Sequence, residues 1–169
     1  MDVLEAIKTR RSIRKFRKAP VPDELVQKVL EAGRWSPSSK NRQPWKFIVL
    51  KSGEVRKRLS EFLPYGWFLA DAPLGIAVIV DPKESSRLVE DGAIASENML
   101  LAAHGLGLGA CWIGSYGIPL EDKARELLGV PEGQRLLSVI ALGYPDEKPA
   151  PTSRKNFAEI VFKDKYGER

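Results

Sequence analysis

Two unbroken apolar runs limit what this chain can fold into: LGIAVIVD from residue 74 and RLLSVIALGYP from residue 135. A strand with one wet face alternates apolar and polar side chains, whereas a run without alternation needs cover on both faces. Both runs therefore read as buried strands of a sheet held between helical layers. Shorter strands are expected at KFIVL, around residues 46–50, and at GACWIG, which enters a turn containing glycine. The helices fall between them. Asp2 can cap a short one with an apolar face of Val3, Leu4 and Ile7. Pro22, Asp23 and Glu24 open a second, whose stripe of Leu25, Val26, Val29, Leu30 and Ala32 runs to Gly33. Residues 54–63 form a third, with Val55, Leu59 and Phe62 on one side. Residues 86–104 form the longest, which Gly105 would terminate as its C-cap. A last helix starts at Pro119 and runs to about Leu128. The interleaving gives an α+β or α/β class with about four strands and helices on both faces.

The chain has 169 residues, 43% of them apolar and 29% charged, as expected of one globular domain spanning 1–169. No apolar run reaches the ~20 residues that cross a bilayer. The N-terminal MDVLEAIKTRRS carries an acidic residue at position 2 and no apolar stretch, so it does not read as a secretory signal, and a cytoplasmic location is expected. One cysteine, Cys111, allows no internal disulfide, and one histidine, His104, leaves no metal-ligand spacing. IGSYG is not a nucleophile elbow, because Ser115 follows Gly114 directly.

Three stretches have the residue types that chemistry needs. The first is Arg10, Arg11, Ser12 and Arg14. Guanidinium groups offer planar forks of donors that match phosphate oxygens, and alternate side chains of an extended segment could converge on one anion. Taken alone, the stretch reads first as a solvated basic surface or a nucleic-acid patch. The second is the polar loop Ser36 to Trp45, in which Pro37 and Pro44 exclude regular helix. Its Ser, Asn and Gln side chains mix donors and acceptors, which suits a ligand with hydroxyls and a ring bearing C=O and N–H edges. The third, GLGLGACWIGS from Gly105 to Ser115, tempts a dinucleotide reading. That fingerprint needs a strand before its glycines and a helix after, and here the order is reversed.

In combination these stretches resemble the FMN-dependent nitroreductase superfamily. RRSIRKF, then SPSSKNRQPWKF, then the long helix leading into GLGLGACWIGSY, and finally GYP with a basic tail carry the likeness, which extends from Asp2 to about Val161. The resemblance implies an α+β sandwich with a central, mostly antiparallel sheet of about four to five strands, forming an intertwined homodimer with FMN at the subunit interface. By motif match, Arg10, Arg11, Ser12 and Arg14 would hold the phosphate, ribityl chain and pyrimidine edge. Pro37, Ser38, Ser39, Asn41 and Gln43 would reach the flavin from the other subunit. Trp112, Ile113, Gly114 and Ser115 would line the ring, and Arg154 and Lys155 would complete the phosphate site. The implied activity is ping-pong electron transfer from NADH or NADPH to a small acceptor such as a nitroaromatic or quinone. Arg14 would stabilise the reduced flavin, and no side chain would act as acid or base. The chain is short for the superfamily, so a long substrate-covering helix is expected to be missing, with Tyr65, Trp67 and Phe68 as a partial aromatic lid; core or dimer packing is the other reading of these three. A flavin sensor or carrier with little turnover is the alternative function. A nucleic-acid module using the +5 net charge ranks last, because it leaves the Ser/Asn/Gln loop without a role.

Overall fold

A computed structural model describes residues 1–169. At its centre is a four-stranded antiparallel sheet in the order β1-β2-β4-β3. The strands are β1 (Trp45–Leu50), β2 (Leu74–Val80), β3 (Gly109–Gly114) and β4 (Arg135–Gly143). The two unbroken apolar runs are the two inner strands, as the absence of alternation requires. All seven residues of β2 are buried, and β4 exposes only its first position in part.

Alternate residues of these strands feed two cores. On one face Leu74, Ile76, Val78 and Val80 join Ile140 and Leu142 beneath α2 (Asp23–Arg34) and α4 (Leu88–Gly105). On the other, Ala77, Ile79, Val139 and Ala141 pack with Leu59 of α3 (Gly53–Phe62), Ala124 of α5 (Glu121–Leu127), and Phe68 and Leu69 of a short 3-10 turn. Gly33 lets α2 approach α4: a Cβ there would lie 3.0 Å from both Met99 and Phe47. No helix is long and apolar enough to cross a membrane.

One local expectation needs correction, and one apolar face is left uncovered. Helix α1 (Val3–Thr9) is capped by Asp2, whose carboxylate accepts from Glu5 N–H at 2.9 Å. However, its apolar residues Val3, Leu4 and Ile7 face outward and are exposed. Further on, Gly105 does not cap α4; it is its last helical residue. The left-handed residue is Gly107 (φ 77°), with Leu108 N–H donating to Ala103 C=O and Gly107 N–H to His104 C=O. That pair of bonds satisfies the terminal carbonyls of a helix and makes Gly107 the residue needing positive φ. Helix α4 therefore runs through this turn directly into β3, the reverse of the dinucleotide-binding order. The tail contains the four-residue helix α6 (Phe157–Ile160), and between Pro151 and Arg169 only Phe162 is even partly buried.

Candidate functional site

The basic segment leaves α1 at Arg10 and runs extended along the outer edge of β3. Ile13 N–H donates to Ala110 C=O at 3.0 Å, and Ser12 forms a parallel bridge with Ala110. Phe16 then bridges Pro145 just beyond β4. Gly109 makes this docking possible, since a Cβ there would sit 2.8 Å from the Ile13 side chain. The Glu147 carboxylate accepts from the backbone N–H groups of both Arg14 and Lys15. The Arg14 guanidinium lies 5.7 Å from the centroid of the Phe68 ring, a distance at which a cation is attracted to the ring face.

Arg10 and Arg11 line a cavity of about 560 Å³ with Thr9, His104, Gly109 and Glu147. Arg10 Nε comes within 3.5 Å of the Glu97 carboxylate, an ion pair without a hydrogen bond at Nε. The buried Nε–H of Arg11 is also unpaired, although its terminal nitrogen donates to the carbonyls of Lys8 and Arg10. A buried donor without a partner costs stability unless something completes it. Arg10 and Arg11 bring two guanidinium charges to this cavity, which suits an anionic ligand of the phosphate type. His104 experiences the same charge: burial, then Arg10 and Arg11, hold its pKa below the ordinary value. Its Nε2 lies 2.8 Å from the Thr9 hydroxyl, whose own proton goes to Glu5 C=O; Nε2 is thereby the donor. Burial pushes the neighbouring Cys111 thiol up, away from the reactive thiolate.

The polar loop is built differently. Lys40, Asn41 and Gln43 all have positive φ, between 51° and 54°. A left-handed residue other than glycine costs of order 1 kcal/mol, so the conformation needs outside support. Ser38 Oγ accepts from Gln43 N–H at 2.9 Å. The carboxylate of Asp91, on the first turn of α4 and only 3% exposed, accepts from Ser39 N–H at 2.9 Å and from the Ser85 hydroxyl at 2.6 Å. Asn98, two helical turns along the same face of α4, donates to Ser36 Oγ at 2.8 Å. Pro37, Asn41 and Gln43 line a separate cleft of about 340 Å³ together with Trp35, which is 73% exposed and donates its indole N–H to Glu31.

Trp112 to Ser115 end β3 and lead into a turn fixed by a buried carboxylate. Burial would raise the Glu121 pKa, but bonds from Arg135, Gly117 N–H and Leu136 N–H outweigh it and hold the group below the usual carboxylate range. Arg135 pairs with both Glu121 oxygens and stacks 4.4 Å from the Tyr116 ring centroid. The side chain of Trp112 is partly exposed and Gly114 is exposed, while Ile113 and Ser115 are buried.

The remaining expected residues are scattered. Tyr65 and Trp67 are exposed, as an aromatic cover would be, but Phe68 is 2% exposed and belongs to the core, so it presents no ring outward. Arg154 bonds only to Thr152 and Ser153, and Lys155 is exposed; neither lines the cavity of Arg10 and Arg11. One chain thus brings the basic segment together with β3, and leaves the polar loop and basic tail elsewhere. Asp91, Asn98, Glu121 and Glu147 were not among the residues the motifs marked.

The Nitroreductase family model matches residues 7–67 and 63–144, a span containing the basic segment, the polar loop and β3. A Methanothermobacter thermautotrophicus protein is 50% identical over 155 residues, covering 88% of this chain and 80% of its own; its name gives it provisionally as an NADH dehydrogenase/NAD(P)H nitroreductase. The chain belongs to the nitroreductase family. Solved nitroreductase structures share the architecture. An FMN-dependent nitroreductase from Clostridium difficile superposes with a TM-score of 0.89 at 34% identity, covering 96% of this chain and 99% of that one. An NADPH:FMN oxidoreductase from Vibrio harveyi, solved in complex with NAD+, superposes with a TM-score of 0.88 at 27% identity, covering 98% and 78%.

Proposed function

We propose that this chain, as one domain over residues 1–169, forms a homodimer that binds FMN and passes electrons from NADH or NADPH to a small acceptor such as a nitroaromatic or quinone. Its general class follows from its family: it is an NAD(P)H-dependent flavin oxidoreductase, in keeping with the names of its relatives. Bound FMN would supply the redox chemistry, accepting electrons from the nicotinamide and releasing them to the acceptor.

The observation that carries this reading is the basic segment docked against β3, with Arg10 and Arg11 lining a cavity beside the strand that leads into Ser115. Arg10 and Arg11 would hold the phosphate and Ser12 the ribityl chain. Arg14, kept in place by the Phe68 ring and by Glu147 on its backbone, would set a positive charge against the pyrimidine edge. Trp112, Ile113, Gly114 and Ser115 would form the floor under the ring, where the Glu121–Arg135 pair holds the following turn. Pro37, Ser38, Ser39, Asn41 and Gln43 would come from the second subunit, as would be needed by a loop that lies outside the Arg10 cavity of its own chain. Arg154 and Lys155 would be placed by the same association. Tyr65 and Trp67 would form a small cover, leaving room for several acceptors. The exposed apolar residues of α1 and of the tail, among them Leu4, Ile7, Phe157 and Ile160, supply surface for such an interface.

The test is an anaerobic visible spectrum of the protein with FMN, before and after NADH and then NADPH. Flavin peaks that bleach would establish a reductase and its donor. Peaks that persist with both donors would make the protein a flavin carrier or sensor, and no bound flavin would end the proposal. Sedimentation showing a holoprotein monomer would contradict the shared site.

A further inference from the structure

Nothing in the function proposed above gives Asp91 a task, yet it is a carboxylate buried in the first turn of α4 with both oxygens engaged. One accepts from Ser39 N–H, in the middle of the strained loop. The other accepts from Ser85, whose oxygen in turn accepts from Arg87 N–H at 3.0 Å. Asn98 holds Ser36, at the start of the same loop, from two turns further along the helix. Between these two anchors Glu97 faces Arg10 of the basic segment. Helix α4 therefore bears on both halves of the candidate site, and Asp91 is its only carboxylate bonded to the backbone of the loop.

We propose that Asp91 is a positioning residue, which anchors the loop from Ser38 to Gln43, with its left-handed Lys40, Asn41 and Gln43, so that its polar groups are preset for the flavin. The role rests on the FMN reading above. An ionised carboxylate suits it because it accepts on both oxygens at once. A ligand that meets a preset loop does not have to order it on binding, so loss of the anchor should appear in affinity.

The test uses full-length Asp91→Asn, Ser85→Ala and, as a control, Ser96→Ala. Ser96 lies on the same helix, fully buried, and its hydroxyl is bonded to Gly92 C=O and to Ser138 away from the loop. Two readings are taken: FMN affinity by fluorescence quenching, and hydrogen exchange at the Ser39 and Gln43 amides without ligand. Asp91→Asn should raise the FMN Kd about tenfold and Ser85→Ala about threefold, with faster exchange confined to residues 38–43. Ser96→Ala should lower the melting temperature while leaving the Kd within about twofold of the parent. An unchanged Kd in Asp91→Asn, or a changed Kd with unaltered Ser39 exchange, overturns the proposal. If the parent protein binds no FMN, the flavin reading fails by itself, and exchange at Ser39 decides alone whether Asp91 positions the loop. If Asp91→Asn does not fold, Ser85→Ala carries the same comparison.

Discussion

The basic segment and the polar loop, the two halves of the candidate site, are held by opposite means. Arg10 to Arg14 lie on a sheet edge in relaxed extended backbone, tied by main-chain bonds and by the gap Gly109 leaves for Ile13. Lys40, Asn41 and Gln43 are in left-handed backbone that other residues must maintain, through Ser38, Asp91 and Asn98. The first half is thus a surface segment tied to the sheet edge, and the second is a strained element kept in place at some expense of stability. Strain retained against selection for stability is a mark of function, and here it falls where the family motif does.

Substitutions should break this comparison unequally. Gly109→Val should have the largest effect. Its side chain would collide with Ile13 and lift the basic segment from β3, costing about 2 kcal/mol and about 4–8 °C of Tm, with FMN binding lost as well. Calorimetry showing an unchanged Tm would mean that the segment is not held by that contact. Arg14→Met should cost less, about 0.5–1 kcal/mol for the lost contact with Phe68. It should also make the bound flavin harder to reduce, read as a fall in midpoint potential in an equilibrium dye titration. Lys40→Gly should act in the opposite direction. Relief of a left-handed residue, less the added freedom of the unfolded chain, should raise stability by about 0.5 kcal/mol and yet weaken FMN binding. A variant that gained stability without losing affinity would show that the loop needs no presetting.

The smallest effect concerns pH. The folded pKa of His104 lies below the ordinary 6.5 of an unfolded chain, through burial and then Arg10 and Arg11. The unfolded state therefore takes up the proton first. Stability contributed by neutral His104 is complete above pH 6.5 and declines as pH falls from there towards the folded value, then levels off. As the only histidine, it gives one ring titration by NMR. FMN or inorganic phosphate at the neighbouring guanidinium groups should move that titration upward; no movement would place the anion elsewhere.

Much of this was legible in the residues. Unbroken apolar runs marked β2 and β4, and the helix-before-strand order around Gly107 ruled out a dinucleotide fold. What stayed hidden depended on partners distant in sequence. Glu147 and Asp91 look like surface carboxylates until Arg14 and Ser39 are brought to them. A signal for Asp91 did exist: it falls in register with Ala95, Met99 and Ala103, four residues apart on the buried face of α4. The apolar residues of α1 misled in the other direction, because periodicity shows that a face is apolar and not which chain covers it. Lid and core are equally open for Tyr65, Trp67 and Phe68 in the sequence, and the 3-10 turn divides them: it directs the Phe68 ring to the core while leaving Trp67 outside.

The tail has a practical consequence. From Pro151 onward the chain presents Arg154, Lys155, Lys163 and Lys165 on a stretch that buries almost nothing of its own. An isolated protomer should lose this stretch to trypsin within the first moments of digestion, long before the sheet is touched. Under the proposed dimer, the lifetime of those cleavage sites, followed as the protein is diluted, becomes a clock for how long a partner keeps the tail covered.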